Sequence, residues 1–271
     1  MSAFAVETLP DVHTTGDTRG VALDAVGVAG FSLPLSVLGP DGSEQETVAE
    51  AELSVALAAE VRGTHMSRFV EEAAALEAIS PANVLELSES LRRRLITSAS
   101  RVLFRFPLFL ARPAPVTGRS APHRYEAWLG AESDARDPEG GRVWVGVRAA
   151  VTSLCPCSRE ISDYGAHSQR GHVELEVQAP SWRDGAGIWP QELFAYADRS
   201  GSAQIHPLLK RPDERAVTML AYDCPAFVED IAREVVLAVK ADERCAAWSV
   251  TVINQESIHD HQAIARVCGR R

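Results

Sequence analysis

The chain of 271 residues predicts an α+β fold: antiparallel sheet, helices packed on one face, and a tandem arrangement of two similar modules. Three observations carry this expectation. Stretches of period-two alternation stand beside stretches with helical i, i+3, i+4 spacing. Their order is β-β-α-α-β-β in the first half and recurs as β-β-α-α-β in the second, with a tail able to add a last strand. No Gly-rich P-loop or GxGxxG stands where a phosphate-binding helix would start, so any nucleotide bound here would be held by a route other than those motifs.

The elements follow in order. Residues 1–25 hold Pro, Gly, Thr and Asp with little apolar periodicity and read as a flexible leader. VGVAGFSLPL (26–35) reads as a strand. After the turn LGPDGSE, the alternation of Ala51, Leu53, Val55 and Leu57 predicts a second, although the Ala and Glu content also suits a helix. From Met66 the spacing of Phe69, Val70, Ala73 and Leu76 is helical. Ser80-Pro81 opens a second helix, with Ser as N-cap and Pro at the first helical position. Strands at 102–110 and 123–131 close a first module at 26–135. The second, 140–271, has strands at 142–151 and 171–179, helices around 189–200 and 225–240, a strand at 248–256 and the tail.

Composition narrows the function. Hydrophobic residues make up 46% and charged residues 24%, as in a soluble globular protein. No apolar run approaches the ~20 residues that span a bilayer, and no secretory pattern opens the chain, so the cytoplasm is expected. A net charge of −10 argues against broad nucleic-acid or membrane binding. An anionic ligand must therefore meet a local basic patch, and RGTHMSR (62–68) and LLKRPDER (208–215) are the two candidates. Five cysteines without a CxxC pair argue against a zinc ribbon and a disulfide framework.

The chemistry concentrates in VTSLCPCSREISDYGAHSQR (151–170). A Gly-containing turn lets Cys155 and His167 fold back toward each other, and thiolate with imidazole suits a borderline-soft metal such as zinc. Glu214 and His259 are the best further ligands downstream. A lone loop His is nonetheless more often a hydrogen-bonding surface residue, and a lone Cys is usually inert. Cys157 shares a face with Cys155 if the segment is extended, as a second thiolate, a nucleophile paired with a His, or a packed side chain. Glu229 lies near a helix N-terminus, where the dipole stabilises a carboxylate; alternatively it accepts paired hydrogen bonds from a heterocycle. Glu256 is a general acid/base, an orienting residue or a surface charge. Arg62, His65 and Arg68, with Lys210, Arg211 and Arg215, suit phosphate binding, though each singly also suits a solvated surface.

Taken together, PDVHTTGDTRG (10–20), RGTHMSRFVE (62–71), SLCPCSREISDYGAHSQR (153–170), LLKRPDERAVT (208–218), FVEDIAR (227–233) and ESIHDH (256–261) closely resemble the GTP cyclohydrolase type IB family. That resemblance implies a tunnelling fold of tandem ββααββ modules whose sheets assemble into barrels across subunits, a homotetramer, and active sites between chains. It implies conversion of GTP and water to 7,8-dihydroneopterin triphosphate and formate at the entrance to folate biosynthesis. It places metal ligands on Cys155, His167, Glu214 and His259, the guanine anchor on Glu229, and Glu256 and Cys157 near the reacting centre. The metal would be zinc, manganese or ferrous iron. Ser168 stands where Asn is frequent, and IHDHQ where IHNHD is usual; neither change removes a ligand. Three other functions stay open: an archaeal-type cyclohydrolase yielding the 2′,3′-cyclic phosphate, a thiol-dependent NADPH nitrile reductase of the same fold, and a non-catalytic purine- or pterin-binding module.

Overall fold

Alternating burial along Leu23–Leu38 makes β1, which hairpins through a tight turn into β2 (Glu44–Leu57) with Leu33, Leu35 and Val37 facing inward. The computed structural model describes residues 15–137, 141–179 and 187–271. The sheet thus begins inside the stretch expected to be leader. Asp17 already donates its backbone N–H to the Glu60 carbonyl, and residues 1–14 lie outside the described residues.

α1 (Met66–Ala74) buries Phe69 and Ala73. A two-residue strand, β3 (Ala78–Ile79), then pairs in parallel with β1. α2 (Pro81–Arg94) starts at Ser80 with a reciprocal cap: the Ser80 hydroxyl accepts from the Asn83 N–H, and the Asn83 side chain accepts from the Ser80 N–H. Val84, Leu85, Leu87 and Leu91 form its buried stripe. β4 (Ala99–Pro113) and β5 (Ser120–Asp134) complete the first half.

The second half opens with β6 (Arg142–Leu154), followed by α3 (Pro156–Ile161) and β7 (Ser168–Ala179). Then come α4 (Pro190–Ser200), a short β8 (Ala203–Gln204), α5 (Arg211–Asp223) and α6 (Val228–Ala241). β9 (Ala247–Gln255) and β10 (Gln262–Arg270) finish the chain, and the tail strand is present. α3 and α5 exceed the two expected helices. Their apolar faces are slight: α3 buries nothing, and α5 sets only Ala221, with the partly buried Val217, against Leu154 and Ala203 beside its buried Asp213.

Among the described residues all ten strands join one sheet, in the order β10-β9-β7-β6-β5-β4-β2-β1-β3, with β8 paired to β6. Neighbours pair antiparallel except β1 with β3. One core runs under both halves, from Phe69 and Leu91 through Leu129 and Val147 to Ile231 and Val250. The halves meet at β5–β6, where Trp128 opposes Gly146 and Gly130 opposes Trp144. Each indole lies over the other strand's glycine. A Cβ on Gly146 would sit 1.8 Å from the Trp128 ring, and one on Gly130 would sit 2.1 Å from Trp144. Arg105 and Arg101 stack on the two indoles, and Trp128 Nε1 donates to Glu176 at 2.6 Å.

Candidate active site at one end of the sheet

Antiparallel register decides which chain ends meet. β6 and β9 finish at the same end of the sheet, where β7 and β10 begin. The turn between β4 and β5 lies at that end too. This edge gathers Cys155, Cys157, His167, Glu256 and His259 from consecutive strand ends.

Cys155 caps α3. Its Sγ accepts from the Ser158 N–H at 3.4 Å, and its own N–H donates to the His167 carbonyl at 3.1 Å. The expected fold-back of the cysteine and histidine segments is therefore present, closed by a backbone bridge and by His167 N–H donating to Ser158 Oγ at 3.2 Å. Pro156 stands inside the first turn of α3, so Cys155 and Cys157 sit in a cap and a short helix instead of along an extended strand. The shared face expected of them is lost, and Cys157 is exposed while Cys155 is half-buried.

His167 Nδ1 lies 2.9 Å from Gln169 Oε1, and Gln169 Nε2 donates to Glu256 Oε1 at 3.3 Å. Gln169 had no part in the sequence reading. Its signal was a polar residue in the inward row of β7, whose other members are Gly171, Val173, Leu175, Val177 and Ala179.

Two further segments are tied to this edge. The Ala226 N–H donates to the Leu154 carbonyl at 3.0 Å and Ser153 Oγ donates to the Ala226 carbonyl at 2.9 Å, which fixes the start of α6, and with it the exposed Glu229, beside Cys155. Asn254 Nδ2 donates to the same Ser153 Oγ at 2.9 Å, locking β9 into the arrangement.

The start of α5 is held by Asp213, which is fully buried. It accepts from Val116 N–H, Thr117 N–H, Thr117 Oγ1 and Lys210 N–H at 2.8–3.0 Å. Burial alone would push this carboxyl up, but the hydrogen bonds from Thr117, Lys210 and Val116 outweigh it and hold it well below the usual carboxylate range. Lys210, Arg211 and Glu214 thereby project exposed from the first turn of α5, next to the β4–β5 turn. Arg215 follows, also exposed.

Arg62, His65 and Arg68 are not brought here. They follow the far end of β2, which runs opposite to β6, so the length of the sheet separates them from Cys155. Thirteen residues of β6 make that roughly 40 Å. At their end, His65 and Arg68 line a cavity of about 660 Å³ with Thr97, Asp134 and Arg136.

The donor chemistry of Cys155 and His167 fits a divalent transition metal. Yet among the described residues no three Cys, His, Asp or Glu side chains converge as a ready ligand set. Glu214 points from α5, and His259 stacks on His261 in the β9–β10 turn with ring centroids 5.0 Å apart.

The architecture has solved counterparts. The uricase of Arthrobacter globiformis superposes with a TM-score of 0.55 at 9% identity, covering 92% of this chain and 93% of that one. A uricase from Bacillus fastidious gives 0.56 at 10% identity, covering 93% and 94%. Such identity shows the fold alone. Fold and site edge together define an α+β protein of uricase-like tunnelling architecture with thiol, imidazole and carboxylates at one sheet end. The family described as type I GTP cyclohydrolase FolE2 matches residues 9–265, and the chain belongs to that family. GTP cyclohydrolase FolE2 1 of Dechloromonas aromatica is 42% identical over 265 residues, covering 96% of each chain. GTP cyclohydrolase FolE2 of Thermotoga neapolitana is 40% identical over 259 residues, again covering 96% of each. Among the described residues no helix is long and apolar enough to cross a membrane.

Proposed function

We propose that the chain is a GTP cyclohydrolase of type IB, converting GTP and water to 7,8-dihydroneopterin triphosphate and formate for folate synthesis in the cytoplasm. Family membership over nearly the whole chain is the observation that carries this reading. The reaction must add water to C8 of guanine, open the imidazole ring, release C8 as formate and close a pterin ring with ribose carbons. Cys155 and His167, with Glu214 and His259 as further ligands, would hold a divalent ion (zinc, manganese or ferrous iron), which supplies a Lewis acid that lowers the pKa of water toward ~7.

The remaining work falls to the chain's own groups. Glu229, at the anchored start of α6, accepts the paired N–H groups of guanine and orients the base toward Cys155. Lys210 and Arg211 bind the triphosphate, and that remote binding energy aligns the reacting end. Glu256 and Cys157 stand at the reacting edge, where a proton must move to and from N7, N9 and the ribose oxygen.

Arg62, His65 and Arg68 reach such a site only from a second copy of the chain. Ile161, Tyr164, Met219, Leu220 and Ile258 stand exposed on the candidate edge, the kind of surface that association covers. Both features favour a homotetramer with active sites between subunits, the sheets closing into barrels across them.

The test is incubation with GTP and single divalent metals, with and without chelator, following formate release and pterin fluorescence. Metal-dependent formate with dihydroneopterin triphosphate is expected. GTP binding without formate would reduce the protein to a binding module. A cyclic-phosphate product would make it an archaeal-type enzyme, and consumption of NADPH would make it a reductase. In companion variants, Cys155→Ala loses metal and turnover, and Glu229→Gln weakens GTP binding with metal content intact.

A further inference from the structure

We propose that Gln169 is a positioning residue: wedged between Glu256 and His167, it fixes the imidazole tautomer that leaves His167 Nε2 free to take a metal. This rests on the reading of His167 as a ligand. Gln169 is 9% exposed and occupies an inward position of β7, opposite Ser153 of β6. An amide in such a row is costly unless its polar atoms are matched, and here both are.

The logic is directional. An ionised carboxylate only accepts, so the amide group that meets Glu256 Oε1 at 3.3 Å is the NH2. The carbonyl Oε1 must then face His167 Nδ1, at 2.9 Å. A carbonyl oxygen also only accepts, so Nδ1 carries the proton and the lone pair of a neutral ring sits on Nε2. One carboxylate thus orients an amide, and the amide orients a ring. Ser257 Oγ, 3.5 Å from the same Nδ1, is too distant to decide the matter. The arrangement also ties the β9 end to the β7 start, so Glu256 and His167 keep a fixed spacing.

The test uses the full-length protein in metal-free form with isotope-labelled histidine. Nitrogen NMR, at a pH where the imidazole is neutral, should show His167 as the Nδ1–H tautomer. Gln169→Leu should release it into a tautomer mixture and weaken zinc binding, measured by competition with a chromophoric chelator, about 10–100-fold. Ser257→Ala should change neither. A wild-type His167 protonated on Nε2, or a Gln169→Leu protein that keeps both tautomer and zinc affinity, would overturn the proposal. The wild-type spectrum decides even if the variant does not fold. Should His167→Ala retain zinc while the wild-type tautomer is Nδ1–H, the ligand reading fails and the positioning of the ring stands.

Discussion

The two halves of the chain share a strand plan and differ in how their helices are held. In the first half α1 and α2 lie on the sheet through Phe69, Ala73, Val84, Leu85, Leu87 and Leu91. In the second, α4 and α6 are held the same way, through Leu193, Phe194, Ile231 and Val235, but α3 buries no side chain and α5 adds to a small contact of Val217 and Ala221 the buried Asp213 carboxylate at its start. Short helices gain most of their stability from tertiary packing, so the two added helices depend on caps and on the strand ends they join. Those are the segments that carry Cys155, Lys210, Arg211 and Glu214. Burial holds α1, α2, α4 and α6, while caps and strand-end hydrogen bonds place α3 and α5.

The largest effect to look for is complementation. On the proposed site between subunits, Arg62→Ala and Cys155→Ala proteins should each be inactive, and co-refolded mixtures should recover turnover, because each would damage a different chain's share. Recovery of no activity in verified mixed oligomers would mean that the first half serves no neighbour's site. Next comes stability. Leu91→Ala should cost about 2–5 kcal/mol in denaturant unfolding while metal retention stays intact. Asp223→Ala at the exposed end of α5 should stay within about 0.5 kcal/mol. Equal losses would erase the contrast between buried and tethered helices.

Acid should separate the halves more gently. The folded Asp213 carboxyl titrates below its unfolded value of about 3.9, so its contribution is complete above that pH. It is lost as pH falls below about 4 toward the depressed folded value. Hydrogen exchange in α5 and in the 114–119 turn should accelerate there before exchange in α2 does. The smallest effect is in thiol reactivity. Cys157, Cys224 and Cys268 are exposed and should label readily, as intact-mass counting would show. Cys245, whose thiol burial pushes up to about 12, should label only on unfolding.

How far the residues foretold this differs by element. The long strands and α2 were legible because alternation and the Ser80-Pro81 start are local signals, whereas the two-residue β3 and β8 are too short to carry one. α5 was missed because RPDERAVTMLAYD offers only a narrow apolar stripe, Val217 and Ala221; the available clue was Pro212 just inside the start, with Asp213 placed to cap Lys210. The residue types around Cys155 and His167 already suggested a thiol–imidazole pair. Their spatial company required strand register, since only the antiparallel order puts Glu256 beside His167 and puts Arg62 at the opposite end. Gln169 stayed hidden because an amide matters there only through what stands on either side of it.

The crossed indoles at the β5–β6 seam have a consequence for assembly of the chain itself. Sliding one strand by two residues would keep the inward and outward faces correct, and a face-matching code alone would tolerate it. It would also drive Trp128 and Trp144 against side-chain-bearing positions in place of Gly146 and Gly130. The pair therefore works as a two-tooth key. Halves supplied as separate polypeptides should recombine in one alignment only, and Gly146→Val should abolish that recombination.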